Sequence, residues 1–174
     1  MKVLVIGEAP SKFAHEQGVK DALPLARRDL AELAGLTLVD WNERFECINV
    51  LDTYPGPAPG GKGDDFPMRE ARGSAERLKL KMVEHDRVVL LGRRVACAFM
   101  IDPWLDWFVW TVLHLAKTEK VPQMVHKDDP LGPWPTIELK QVLVVVALYP
   151  SKVSHWWNDR SNVARAARFW GGLK

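Results

Sequence analysis

The sequence is poor in cysteine, in long apolar runs and in excess charge, and each shortage excludes a class of protein. Its two cysteines, Cys47 and Cys97, cannot form a four-cysteine cluster or zinc site, and their apolar neighbours predict buried, reduced thiols. The longest clean apolar run, 142–148, is too short to span a membrane and predicts a buried strand. The net charge of +2 does not by itself indicate nucleic-acid binding, which needs only a local basic patch.

Length and composition predict one globular domain. The chain of 174 residues is 47% hydrophobic and 26% charged, a balance typical of a domain with a sizeable core. We therefore predict a single domain over 1–174. The sequence begins with an apolar strand pattern and lacks a signal-peptide cleavage pattern, so we expect a cytoplasmic protein without membrane association.

Apolar runs and helical patterns alternate along the chain. The runs 3–6, 45–51, 87–91 and 142–148 predict strands, while 29–36, 67–84 and 93–100 predict helices. A last helix begins after a cap at Asn158 or Asp159 and reaches Trp170. This alternation predicts the α/β class: a single three-layer α/β/α domain with a central, mainly parallel four-stranded sheet.

Two familiar catalytic patterns are excluded. The segment 56–62 nearly fits a phosphate-binding P-loop, but Gly63 stands where that loop needs a hydroxyl for magnesium. A zinc deaminase would need Pro-Cys-x-x-Cys after His-x-Glu, and the sequence has none. We expect no metal and no cofactor.

Tryptophan is abundant, with eight residues in the chain. Trp104, Trp107 and Trp110 recur every third residue, which predicts one face of a helix that serves as core or as a surface for a protein partner.

Several polar motifs are predicted to meet at one edge of the sheet. Because ligands of parallel sheets bind beyond the carboxyl ends of the strands, Gly7 to Pro10, the loop after Asn49, and Tyr149-Pro150-Ser151 should share that edge. These motifs resemble those of the uracil-DNA glycosylase superfamily. Gly7-Glu8-Ala9-Pro10 resembles its first motif, Asn49 matches the asparagine that reads uracil, and 88–92 resembles its third strand and turn. Tyr149-Pro150-Ser151 resembles its His-Pro-Ser motif.

The likeness is greatest to a small phage-type branch. Segments similar to its loops and tail stand at Tyr54-Pro55-Gly56, at 61–64 and at 154–159. The resemblance implies a protein in a bacterial or phage-infected host cytoplasm that flips a uracil or modified pyrimidine out of single- or double-stranded DNA and cleaves its N-glycosidic bond.

The resemblance also implies roles for individual residues. Glu8 would stabilise the sugar cation or orient water, and the amide of Asn49 can both donate to and accept from one edge of uracil. The predicted catalytic residues are Glu8, Tyr149 and His155. The predicted substrate-binding residues are Gly7, Ala9, Pro10, Phe13, Asn49 and Ser151. The predicted DNA-binding residues are Lys62, Lys152, Arg160, Arg165 and Arg168.

Two departures from the family weaken plain uracil excision. Tyr149 replaces the histidine that donates to the base oxygen, and a phenol with a pKa near 10 is not an equivalent group; His155, six residues later, is a candidate substitute. The stacking aromatic is missing from 22–26, with Phe13 the nearest ring, and the iron–sulfur cysteines of larger relatives are absent.

Two further functions therefore stay open. In the first, the protein is a related enzyme that performs different chemistry on a modified pyrimidine in phage DNA. In the second, it is a non-catalytic module that binds DNA or a protein. At single positions, Glu8 could be a helix-start carboxylate, Asn49 a loop cap, Tyr149 a pocket wall and the arginine stripe a solvated face. The remaining histidines have no partners by sequence spacing and are expected to be surface or core residues: His15, His85, His114 and His126.

Overall fold

The computed structural model describes residues 2–19, 24–61, 63–102, 106–116, 139–148 and 155–173. The strands are β1 (Val3–Gly7), β2 (Phe45–Asn49), β3 (Arg87–Leu91), β4 (Trp110–Ala116) and β5 (Leu139–Ala147). The helices are α1 (Lys12–Glu16), α2 (Pro24–Ala34), α3 (Leu38–Arg44), α4 (Met68–Met82), α5 (Arg93–Ala98) and α6 (Arg160–Gly171), with a 3-10 turn at His155–Asn158.

The sheet is mixed and mostly parallel, with the spatial order β2-β1-β3-β5-β4. The α/β class is confirmed, but the prediction of four strands is wrong because the described residues already form a sheet of five. The four predicted strands are the parallel ones, whereas β4 pairs antiparallel with β5, from Trp110 opposite Val145 to Ala116 opposite Leu139. The added strand lies at one end of the described sheet.

The tryptophan spacing that predicted a helix is misleading. Trp110 is the first residue of β4 and Trp107 lies in the turn before it, while Trp104 lies outside the described residues. Within 110–116, Leu113 and Leu115 pack on one face of the sheet while Trp110 packs on the other. That period of two, together with pairing to β5, outweighs a spacing of three shared by only a few residues.

Helices cover both faces of the sheet. Leu4 and Ile6 of β1 pack with α4 and α5 in one cluster, which we call the first cluster. Val3 and Val5 pack with α2, α3 and α6 in the second cluster. The alternation along one buried strand therefore feeds two cores, as expected of parallel strands between helical layers.

Local signals fix the helix starts. Helix α6 begins where the Asp159 carboxylate accepts from the Ser161 N–H at 2.7 Å, which confirms one of the two predicted caps. Helix α3, which was not predicted from the sequence, begins with a capping box in which the Thr37 hydroxyl accepts from the Asp40 N–H at 3.1 Å. Hydrogen bonds from Thr37 also lower the pKa of the Asp40 carboxyl.

Two of the tryptophans are core residues. Trp41 and Trp170 are fully buried in the second cluster, and the Trp41 ring stacks on Phe45 with centroids 3.9 Å apart. The thiols are less buried than predicted, since Cys47 and Cys97 are both half-buried; no disulfide joins them. No helix within the described ranges has the length and apolar character needed to cross a membrane.

Candidate functional site

The first two predicted motifs meet at the carboxyl edge of the sheet. Gly7, the last residue of β1, is the register partner of Asn49, the last residue of β2. The pairing continues beyond the strands, because the N–H groups of Val50 and Leu51 donate to the carbonyls of Gly7 and Glu8, both at 2.9 Å. The edge predicted for Gly7 and Asn49 is therefore present. Tyr149, the third member, lies outside the described residues.

A cleft of about 360 Å³ opens beside the first motif. It lies on the face of the first cluster, since α5 contributes to both. Its lining comes from four separate stretches of chain: Glu8, Ala9, Pro10, Ser11, Pro55, Asp64, Asp65 and Arg94. Three of the predicted site residues, Glu8, Ala9 and Pro10, thus line one cleft, together with parts of the two phage-type loop segments.

Arg94 is a site residue that was not predicted from the sequence. Its Nε donates to Glu8 Oε1 at 3.0 Å, its Nη2 donates to Glu8 Oε2, and its Nη1 donates to the Asp64 carbonyl at 3.0 Å. The guanidinium also lies 5.4 Å from the centre of the Phe66 ring. The signal available in the sequence was an arginine two residues after Gly92, the turn that ends β3, on the edge where Glu8 was already placed.

Gly92 is required at that turn. It has a φ of 98°, in a region that side chains rarely adopt, and its N–H donates to the Ala147 carbonyl at 2.8 Å. A Cβ at this position would lie 3.4 Å from Glu8 Oε1. The glycine thus lets β3 pass into α5 while the Glu8–Arg94 pair forms beside it.

The opposite wall of the cleft is a loop that folds back on itself. Pro57 and Asp64 form an antiparallel bridge, the Ala58 N–H donates to the Gly63 carbonyl, and the Asp65 N–H donates to the Gly56 carbonyl, both at 2.9 Å. The phenol of Tyr54 donates to Asp64 Oδ1 at 2.9 Å. Because this bond holds the phenolic proton, it raises the pKa of Tyr54 above its usual value.

The charges that line the cleft are mostly negative. Three carboxylates, from Glu8, Asp64 and Asp65, face one guanidinium, from Arg94. Such a lining favours a positive charge inside the cleft and disfavours a phosphate there. Any phosphate of a bound nucleic acid would therefore lie on the rim rather than within the cleft.

Asn49 has an unusual environment at the same edge. Its Oδ1 is buried, and no group of the described residues donates a hydrogen bond to it. Asn49 does not line the cleft with Glu8; it continues the row of Phe45 and Cys47, which pack in the second cluster. A base that contacted both Glu8 and Asn49 would have to lie across the ends of β1 and β2.

A second cleft, of about 380 Å³, lies on the other side of Pro10. Its lining residues are Pro10, Ala14, His15, Gly18, Val19, Asp52 and Thr53. The His15 ring lies 6.0 Å from the Tyr54 ring, so this histidine has an aromatic neighbour. Phe13, the loose candidate for stacking on a base, is 57% exposed on α1 and lines neither of these clefts.

The predicted DNA-binding arginines lie along the exposed side of α6. Arg160 begins this helix after the carboxyl edge, and the chain then runs toward the amino edge, where Leu173 lies near Lys2 and Val3. Arg165 is held by the protein itself: its Nη2 donates to the Trp107 carbonyl at 2.7 Å. Arg160 is therefore the member of the stripe nearest the candidate site.

Several predicted site residues fall outside the part of the chain that the structure describes. Lys62, Ser151 and Lys152 lie there with Tyr149, and of His155 only the backbone is described, in the 3-10 turn. For the predicted partner surface, Trp107 is half-buried, with the Arg93 guanidinium 4.9 Å from its ring centre.

His85 is a core residue, as expected, and it has two polar partners that the sequence spacing did not indicate. It is 4% exposed, with Nδ1 3.0 Å from the Lys81 carbonyl and Nε2 3.2 Å from Glu46 Oε2. Lys81 also pairs with Glu46 at 3.1 Å, and its bonds to Glu84 and then Glu46 raise the pKa of the lysine. This cluster lies away from the carboxyl edge and ties α4 to β2.

A further cleft, of about 530 Å³, lies at the amino ends of the strands and is lined by Lys2, Val3, Glu43, Arg44, Asp86, Arg87 and Leu173. None of the motif residues is among those that line it. Within the described part of the chain, no three histidine, cysteine or acidic side chains are grouped as a metal site. No protein-family model matches this chain, and no curated protein matches it either.

Proposed function

We propose that this protein acts on bases in DNA: it binds an extruded uracil or modified pyrimidine at the carboxyl edge of the sheet and cleaves the N-glycosidic bond. The observation that carries the proposal is the buried Oδ1 of Asn49, for which the described residues offer no donor. Burial of an unpaired polar atom costs about 1–3 kcal/mol, so a ligand that supplies the donor gains that amount.

A pyrimidine base has the matching chemistry. The N3–H of uracil can donate to an amide oxygen, while the neighbouring carbonyl can accept from the amide nitrogen, so one asparagine satisfies one edge of the base. The position of Asn49 opposite Gly7 supports this role, because it places the amide at the same edge of the sheet as the first motif.

The charge of the cleft suits the bond-breaking step. When the bond from C1′ to the base nitrogen breaks, its electron pair leaves with the base and the sugar becomes cationic. The carboxylates of Glu8, Asp64 and Asp65 stabilise that cation. Water then adds to C1′ and loses a proton, which leaves an abasic sugar, and the departing base takes up a proton.

The donor to the departing base is proposed to be Tyr149, with His155 as the alternative. A hydrogen bond to the base oxygen lowers the energy of the anion that forms, and loss of one such donor costs on the order of 10²-fold to 10³-fold in rate. The resemblance of 149–151 to the His-Pro-Ser motif is the support for this assignment.

A second candidate function uses the same pocket for different chemistry. Arg94 binds both carboxylate oxygens of Glu8, and a carboxylate paired in this way is a poor proton acceptor. The ion pair therefore supports an enzyme that modifies a pyrimidine without releasing it. That support adds to what the sequence alone provides. The third possibility, a binding module without catalysis, would use the same edge for base recognition.

The test is to incubate the protein with DNA that contains uracil, hydroxymethyluracil or phage-type pyrimidines and to identify nucleosides and free bases by mass spectrometry. The proposal expects a free base and an abasic site. A nucleoside of altered mass without free base would support the second function, and stoichiometric binding without any product would support the third.

Two asparagine variants locate the activity. Asn49→Leu should abolish the formation of product from the DNA substrates, because the base loses both hydrogen bonds to the amide. Asn42→Leu is the control: Asn42 is an exposed residue of α3 whose Oδ1 already accepts from Arg27 Nη1 at 3.0 Å. If both variants keep the wild-type response, Asn49 does not read the base.

A further inference from the structure

The guanidinium of Arg94 joins parts of the site that are distant in sequence. It binds Glu8, 86 positions away, through Nε and Nη2, and the Asp64 carbonyl, 30 positions away, through Nη1. The Glu8 side chain is 27% exposed and that of Arg94 48%, so the pair lies at the mouth of the cleft. One planar group therefore links the first motif to the loop from Gly56 to Asp65, which is the loop that forms the opposite wall of the cleft.

A lysine could not replace this arginine. A guanidinium offers five N–H donors in a fixed plane, and here both oxygens of one carboxylate and one carbonyl are bound from that plane. An ammonium is a single point charge and could neutralise Glu8, but it could not orient the carboxylate and hold the Asp64 carbonyl at once.

We propose that Arg94 is a positioning residue, which fixes the Glu8 carboxylate and the Gly56-to-Asp65 loop in the single arrangement that base release requires. The inference rests on the proposed function of the same site. Arg94 itself does not touch the reacting atoms; it acts through Glu8 and through Asp64, whose carboxylates face the developing sugar cation.

The kinetic test compares Arg94→Lys, Arg94→Ala and the wild type in single-turnover base release, with DNA affinity measured separately. A displacement of about 1 Å in a reacting site costs on the order of 10²-fold in rate, so both variants should lose about that much rate while DNA affinity changes little. Free guanidinium, well below denaturing concentrations, should restore part of the rate of Arg94→Ala, whereas ammonium at the same ionic strength should not.

Arg77 provides the matched control. It binds the Gly73 carbonyl and the Ser74 hydroxyl within α4, away from the cleft, so Arg77→Lys and Arg77→Ala should release base at the wild-type rate. If Arg94→Lys also retains the wild-type rate, Arg94 acts through its charge alone and the positioning role is overturned.

Amide hydrogen exchange tests whether Arg94 holds the loop in place, and it does so without any measurement of catalysis. The N–H groups of Ala58, Gly61 and Asp65 are bonded within the loop. In Arg94→Lys they should exchange about tenfold faster, because a charge-assisted hydrogen bond that anchors the loop is lost. Unchanged protection overturns the inference. If the wild type releases no base, the proposed function fails, and exchange alone then decides whether Arg94 fixes the loop.

Discussion

Two polar residues of strand β2 differ in how their side chains are satisfied. Glu46 is half-buried and fully engaged, with His85 Nε2 at 3.2 Å and Lys81 Nζ at 3.1 Å. Asn49, at the carboxyl end of the same strand, has a buried oxygen without a donor among the described residues. The indole nitrogens of Trp41 and Trp170 also lack a partner among the described residues, but they lie in the core, whereas Asn49 lies at the candidate site. Glu46 therefore stabilises the fold, and the role proposed for Asn49 is binding.

The largest expected effect is at Asn49. Asn49→Leu should lower base release by at least about 100-fold, because a site that recognises a base through hydrogen bonds loses both of them. The free energy of unfolding should stay the same or rise, because the buried oxygen that is removed has no donor in the described part of the chain. An assay of base release measures the predicted loss of activity, and urea unfolding measures the predicted stability. A large loss of stability would show that Asn49 has a structural partner and would erase the contrast with Glu46.

His85 should show the opposite pattern. His85→Leu removes the ring contacts with Glu46 Oε2 and with the Lys81 carbonyl, which then keeps the Glu84 N–H as a donor at 3.2 Å, so it should lower the free energy of unfolding by about 1–3 kcal/mol with little change in base release. His114→Leu, at an exposed position of β4, is the control. A variant of His85 that is stable but inactive would place this cluster in the working site and contradict the comparison.

Two glycines extend the contrast from side chains to backbone. Gly92→Ala should destabilise by about 1–3 kcal/mol because of its positive φ; the new Cβ itself would be only in van der Waals contact with Glu8 Oε1, at 3.4 Å. Gly73→Ala, in the exposed interior of α4 with no atom within 4 Å of the new Cβ, should stabilise by about 0.5–1 kcal/mol. Thermal unfolding of both variants measures the two changes in stability. If both variants change stability in the same direction, the contrast is refuted.

The smallest expected effect concerns the hydrogen bond between Tyr54 and Asp64. Unlike Asn49, these two polar side chains at the candidate site are each other's hydrogen-bond partners. The chain has only two tyrosines, so a Tyr149→Phe background isolates Tyr54. Asp64→Asn should lower the pKa of Tyr54 toward its ordinary value, because the carboxylate that holds the phenolic proton is gone. Absorbance titration of the phenolate measures the shift. An unchanged pKa would mean that the bond does not form in solution.

The features that depend on local pattern could be predicted from the sequence. Strand β3 was predicted with its observed bounds, and β1 within one residue, because a buried parallel strand is a continuous apolar run. The alignment of Gly7 with Asn49 followed from the rule that parallel strands end at one edge.

The features that could not be predicted depend on contacts between distant residues. The pair of Glu8 with Arg94 spans 86 positions, and no local pattern marks it. Strand β4 becomes a strand through its partner β5, and a three-residue tryptophan spacing concealed its period of two. The environment of the Asn49 oxygen, which has no donor among the described residues, is a property of the surrounding packing and has no signature in the sequence.

The strand order also determines how this chain must fold. Strand β1 lies between β2 and β3, and β3 in turn pairs with β5, whose residues are made about fifty positions later. During synthesis, the apolar edge of Val88 to Leu91 therefore stays without a partner until β5 is made. Long-range parallel pairing folds slowly, and an open apolar edge recruits other chains. Folding yield should therefore depend on how quickly β5 reaches β3, and fragments that end before Leu139 should aggregate.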